Sequence, residues 1–142
     1  MSASIDILAK VDYARMKPFD AIRPVLRELK KNHPMVVISS NDTPTILEAL
    51  RLYDFEGLFD EVLGSDFMFS KKDKILHVIK KYSVGLEDIY YIGDTAGDIK
   101  EGRQAGVKTV GVTWGWHPKD LMAAAAPDYL FDRPEDLLRL DG

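Results

Sequence analysis

A rhythm of apolar residues constrains this chain more than any single motif. Short runs rich in β-branched residues alternate with stretches in which apolar residues recur every three to four positions. "MVVIS" (35–39) and "IYYIG" (89–93) belong to the first kind. A run without polar alternation is a strand covered on both faces. "FDAIRPVLRELKK" belongs to the second kind, with Ile22, Val25, Leu26 and Leu29 on one helical face. Proline is tolerated only in a helix's first turn, so Pro24 predicts a start near Asp20, an N-cap residue.

The same reading continues along the chain. "NDTPTILEALRLY" offers Asp42 or Thr43 as cap and the stripe Ile46, Leu47, Leu50. "SKKDKILHVIKKY" has Ser70 and Asp73 in capping-box spacing, then Ile75, Leu76 and Ile79 as its apolar stripe. "FDEVLGS" reads as a brief strand, and a short helix through Ile99 stops at Gly106, a glycine suited to the position after a helix. "VKTVGVTW", "KDLMAAAA", "DYLFD" and "PEDLLRL" complete the alternation. The expected fold class is α/β, a three-layer sandwich with a parallel sheet. At 142 residues one domain is expected, large enough to bury a real core.

Composition narrows the functional classes. A formal net charge of -4 carries no basic footprint for nucleic acid or an anionic membrane. No apolar run is long enough to span a bilayer, and Asp6, Lys10 and Asp12 interrupt the N-terminal apolar residues, unlike a secretory signal. The expected compartment is cytoplasmic. With no cysteine, disulfides and thiolate metal sites are excluded. His33, His77 and His117 stand apart in sequence, and no histidine metal site is visible.

In parallel α/β sheets, ligands bind beyond the carboxyl ends of the strands. Three candidate groups occupy such positions. After "MVVI" come Ser39, Ser40 and Asn41, which either donate to a phosphate beside free backbone N–H groups or form an ordinary turn and cap. After "FDEVLGSDFMF" comes Lys71, in a helix's first turn, where a cation opposes the macrodipole. It either meets carboxylates and phosphoryl oxygens or belongs to a solvated basic cluster with Lys72 and Lys74. After "IYYI" comes Gly93-Asp94-Thr95-Ala96-Gly97-Asp98. Two carboxylates one helical turn apart suit Mg²⁺, which keeps waters and shares its shell with a phosphate; the competing reading is capping by Asp94 with a first-turn Asp98. Trp114 and Trp116 either line the crevice mouth or pack beneath the next helix, and His117 before Pro118 reads as a turn residue.

Taken in order, these segments resemble the haloacid dehalogenase superfamily of phosphohydrolases. "VVISSN" resembles its second motif, "SKKDKIL" its third and "YYIGDTAGDI" its fourth. The tail from "GVKTVGV" to "PEDLL" is similar to that of phosphoglycolate-phosphatase-like members. The resemblance implies a Rossmann-like core and a Mg²⁺-dependent phosphatase. An aspartate would attack a phosphomonoester to give an aspartyl-phosphate, which water then hydrolyses. Ser39, with Ser40 and Asn41, would hold the phosphoryl group and Lys71 would neutralise it. Asp94 would ligate the metal, and Asp98 would support that site.

The family's first motif, an apolar strand ending in D-x-D-G-T, is not in the sequence. Asp6 and Asp12 are the nearest candidates, but Leu8 and Ala14 stand where a second acid belongs. No nucleophile is found on this pattern. The first strand is the central one in this fold, so it is expected to be missing or replaced: by "IDILAKV", by direct pairing of its neighbours, or by a strand from a second copy or a complementary chain. Residues 1–15 are read as a segment ending a helical cap, and 16–142 as the core. The resulting expectation is a truncated phosphatase core, inactive alone, that acts on a small phosphorylated molecule. The alternative is a non-catalytic module that binds Mg²⁺ and a phosphorylated ligand or a protein partner.

Overall fold

The structure is a computed structural model that describes residues 5–8, 21–52, 54–66 and 70–141, of which residues 5–8, 71 and 141 are described by backbone alone. Six strands form one parallel sheet: β1 (Ile5–Leu8), β2 (Met35–Ile38), β3 (Glu61–Leu63), β4 (Ile89–Gly93), β5 (Lys108–Val112) and β6 (Tyr129–Phe131). Their spatial order is β3-β2-β1-β4-β5-β6. Five helices connect them: α1 (Ile22–Lys30), α2 (Thr43–Leu52), α3 (Lys71–Tyr82), α4 (Ala96–Ala105) and α5 (Lys119–Ala124). A 3₁₀ segment, Pro134–Asp141, closes the chain.

The central slot is filled by the chain itself. Ile5–Leu8 pairs in parallel with β2 and with β4, with Ile7 opposite Val36 and Tyr91. Of the routes expected from the sequence, the one using "IDILAKV" is realised over its first four residues, and the buried backbone groups of both neighbours find partners. The segment read as the end of a cap thus contributes Ile5–Leu8 to the core sheet. Asp12 and the helix cap expected at Asp20 lie outside the described residues.

Alternation along the strands sorts the core into two layers. Met35 and Val37, Ile92, and Val110 and Val112 face α1, α2 and the 3₁₀ segment. Val36 and Ile38 with Ile89 and Tyr91 face the other way, against Ile75, Val78 and Ala105 of α3 and α4. In α2, Ile46, Ala49 and Leu50 turn inward, whereas Leu47, expected in the stripe, is 51% exposed. In α3 the buried face is Lys74, Ile75 and Val78 instead of the expected Ile75, Leu76 and Ile79. The stripe is rotated by about one position because a lysine takes part in it.

Candidate functional site: the crevice at the strand ends

At the end of β2, Ser39 is fully buried. Its N–H continues the ladder to the Leu63 carbonyl (3.1 Å), and its Oγ accepts from the Asn41 N–H (3.1 Å). Accepting one bond leaves a serine its O–H as a donor. Ser40 and Asn41 follow at the surface. The loops after β2 and β3 are fastened together. The Asp66 carboxylate accepts from Thr43 N–H (2.8 Å) and Oγ1–H (2.7 Å), and Ser65 N–H donates to the Asn41 carbonyl (2.8 Å). The Thr43 hydroxyl and N–H hold the Asp66 carboxyl below its ordinary range, with Lys74 adding to the effect.

The cation joined to the Ser39 turn is Lys74. Expected among solvated lysines, it is fully buried, and its Nζ donates to the Ser39 carbonyl at 2.8 Å. A lysine is almost never fully buried without a partner. The signal missed in the sequence is the position of Lys74 beside Ile75, one step from the centre of the apolar stripe. Lys71 is the first residue of α3, behind the N-cap Ser70, whose side chain accepts from the Asp73 N–H. Its side chain lies outside the described residues.

At the end of β4, the two readings of the aspartate pair separate. Thr95 is the N-cap of α4, with its Oγ1 accepting from the Asp98 N–H at 3.1 Å. Asp94 is therefore not the cap. Asp98 is 1% exposed, and its Oδ2 accepts from the Asp94 N–H at 3.3 Å. Gly93 has to be glycine here, because a Cβ would run into the Asp98 side chain. Beneath the pair, burial and then the charges of Asp98 and Glu101 push the Tyr91 phenol upward in pKa.

The loop after β5 closes this side. Trp116 N–H donates to Asp94 Oδ2 (3.1 Å), and His117 N–H donates to the Asp94 carbonyl (3.0 Å). Trp114 packs against the core layer facing α1, α2 and the 3₁₀ segment, whereas Trp116 is 48% exposed.

The donor set fits Mg²⁺. Asp94 and Asp98 follow the end of β4, and Mg²⁺ is usually held by one or two carboxylates together with water and phosphate oxygens. Among the described residues no group of three or more His, Cys, Asp or Glu side chains is placed to hold a metal. When bound, the metal would supply charge neutralisation at the phosphoryl oxygens. Among the described residues, no helix is long and apolar enough to cross a membrane.

The serine turn after β2 and the carboxylate pair after β4 lie beyond the carboxyl ends of a parallel sheet, where ligands of open α/β folds bind. The model of the haloacid dehalogenase-like hydrolase family matches residues 5–112, and the chain belongs to that family. A phosphoglycolate phosphatase of Photorhabdus laumondii is 31% identical over 128 residues, 87% of this chain and 55% of the relative. One from Synechococcus elongatus is 28% identical over 122 residues, 85% of this chain and 58% of the relative. The chain thus spans little more than half the length of these curated relatives. The crystal structure of a HAD-superfamily hydrolase of subfamily IA from Geobacter sulfurreducens shares the fold. Its TM-score is 0.75 at 13% identity, covering 97% of this chain and 100% of that one.

Proposed function

We propose that this chain forms the Mg²⁺- and phosphate-binding crevice of a phosphomonoester hydrolase and does not turn substrate over alone. The observation that supports the reading is that two polar pairs, Ser39 with Lys74 and Asp94 with Asp98, stand at the ends of β2 and β4, the strands on either side of β1. Ser39 and the turn through Asn41 would grip the phosphoryl group. Lys74 would lower the electrostatic cost of bringing an anion there, with Lys71 at the mouth of the same helix. Asp94 would ligate the metal, and Asp98 would orient the Asp94 backbone.

Turnover alone is not expected because the residues following Leu8 read Ala-Lys-Val-Asp-Tyr-Ala, where the family pattern calls for D-x-D-G-T. Asp12, in that stretch, is not followed by the second acid that proton transfer to the leaving group requires. The ligand is a small phosphorylated molecule. The relatives' names make 2-phosphoglycolate the first compound to try.

The test pairs binding with turnover in the intact chain and in Asp94→Asn. Calorimetry is expected to show Mg²⁺-dependent binding of 2-phosphoglycolate or inorganic phosphate that the variant loses. Hydrolysis of an aryl phosphate is expected at the level of the variant. Turnover that disappears with Asp94→Asn would mean that a carboxylate of this chain attacks phosphate. Absence of any Mg²⁺-dependent binding would overturn the crevice itself.

A further inference from the structure

Four features of the segment between β5 and α5 bear on one side chain. Trp116 N–H holds Asp94 Oδ2 (3.1 Å), and His117 N–H holds the Asp94 carbonyl (3.0 Å). The His117 ring reaches back to α4, its Nδ1 accepting from the Ala96 N–H at 2.9 Å. A Cβ at Gly115 would overlap the Cβ and Oδ2 of Asp94, so the loop backbone lies directly against the carboxylate. The neighbouring Pro118 restricts His117 to extended backbone.

Each feature removes a freedom from Asp94. Holding Oδ2 limits rotation of the carboxylate and so narrows the directions open to its other oxygen. Fixing the carbonyl sets the backbone that carries the side chain. His117 joins both to the first residue of α4, the helix that also carries Asp98. An imidazole accepting at Nδ1 carries its proton at Nε2, so a single tautomer serves the contact. Losing a group that orients a metal ligand from behind typically costs about 10–100-fold in metal affinity.

We propose that Gly115, Trp116 and His117 form a clamp that presets the Asp94 carboxylate, with His117 as its positioning residue. The proposal rests on reading Asp94 as the metal carboxylate, but the clamp is measurable without metal. Amide hydrogen exchange by NMR is compared in wild type, His117→Ala, His117→Asn and His117→Gln, followed by Mn²⁺ titration of each.

In the alanine variant, Trp116 and Ala96 amides are expected to exchange roughly tenfold faster, while β5 amides are unchanged. Mn²⁺ binding is expected to weaken about tenfold. Asparagine places its Oδ1 where Nδ1 stood and is expected to restore both; glutamine carries its acceptor one bond further and is not. If the alanine variant does not fold, the asparagine–glutamine pair decides by the same two readouts. An unchanged Trp116 amide in His117→Ala, or equal behaviour of asparagine and glutamine, overturns the clamp. If wild type binds no Mn²⁺, the metal reading fails while the exchange result still decides the clamp.

Discussion

The two ends of the sheet both bond charged side chains to backbone, one at the surface and the other in the interior. At the end where the strands begin, Asp60 accepts from the Met35 N–H (2.7 Å) and pairs with Lys30 (2.8 Å). Asp128 accepts from Thr109 N–H (2.8 Å) and Oγ1–H (3.2 Å). Both aspartates are exposed, and each ties one strand start to its neighbour. At the other end, Asp98 and Lys74 also bond to backbone, but both are buried. Among the described residues these are the only buried Asp, Glu, Lys or Arg side chains. Burying a charge is costly even when it is well bonded, so a fold assembled for stability alone would favour the exposed arrangement. The buried charge is thus concentrated at the end where the proposed crevice lies.

Lys74 is the place to break this comparison. Lys74→Ala removes a fully buried side chain and is expected to cost roughly 2–5 kcal/mol in urea unfolding, as truncation of a long core residue does. Lys74→Met keeps most of the volume and is expected to fold, with phosphate binding weakened by about 1.5–3 kcal/mol in calorimetry. Unchanged phosphate binding in Lys74→Met would make Lys74 a structural lysine and erase the contrast. Asp128→Ala is the control from the other end. It leaves Thr109, 2% exposed, without its acceptor and is expected to cost about 1–3 kcal/mol with no change in Mg²⁺ affinity. A smaller effect is expected of Asp42, whose carboxylate accepts from Thr45 N–H (3.2 Å) and Oγ1–H (2.7 Å) at the start of α2. Asp42→Ala should cost about 1 kcal/mol by thermal melt and leave ligand binding intact.

The legible parts of this molecule were those set by local pattern. β-Branched runs gave β2, β4 and β5, and Gly106, at φ 84°, ends α4 as a left-handed cap residue. The positions of Ser39, Asp94 and Asp98 just beyond strand ends were legible because the apolar runs before them mark where the strands stop. Lys74 was not. Lysine is an exposed residue by composition, and only the tertiary pairing with the Ser39 carbonyl makes an inward position tolerable. Leu47 failed for the opposite reason: an apolar residue beside a stripe need not lie within it, and Ala49 completes the inward face of α2. The central strand was obscured because "SIDIL" lacks the family's acids, and because sheet position depends on neighbours distant in sequence. His117 was read as a turn residue, since nothing local shows that its ring reaches a residue 21 positions away.

The smallest expected effect lies at the sheet edge, away from the crevice. On β3, the edge strand, Glu61 accepts from the Tyr82 hydroxyl (3.1 Å) and pairs with Lys81 (3.0 Å). Burial, then the charge and hydrogen bond of Glu61, push the Tyr82 phenol from 10.0 up to about 12. A raised folded-state pKa means that the native state holds this proton more tightly than the unfolded chain. Its contribution is therefore complete below about pH 10 and is lost as pH rises towards about 12. The Tyr91 phenol, also raised, acts in the same direction in wild type and in Tyr82→Phe, so it cancels in their difference. Urea midpoints of the two proteins should differ most at pH 8 and converge from about pH 10 upward. A constant difference across that range would show that Glu61 does not hold the Tyr82 proton, while ligand binding at the proposed crevice should be the same in both proteins at pH 8.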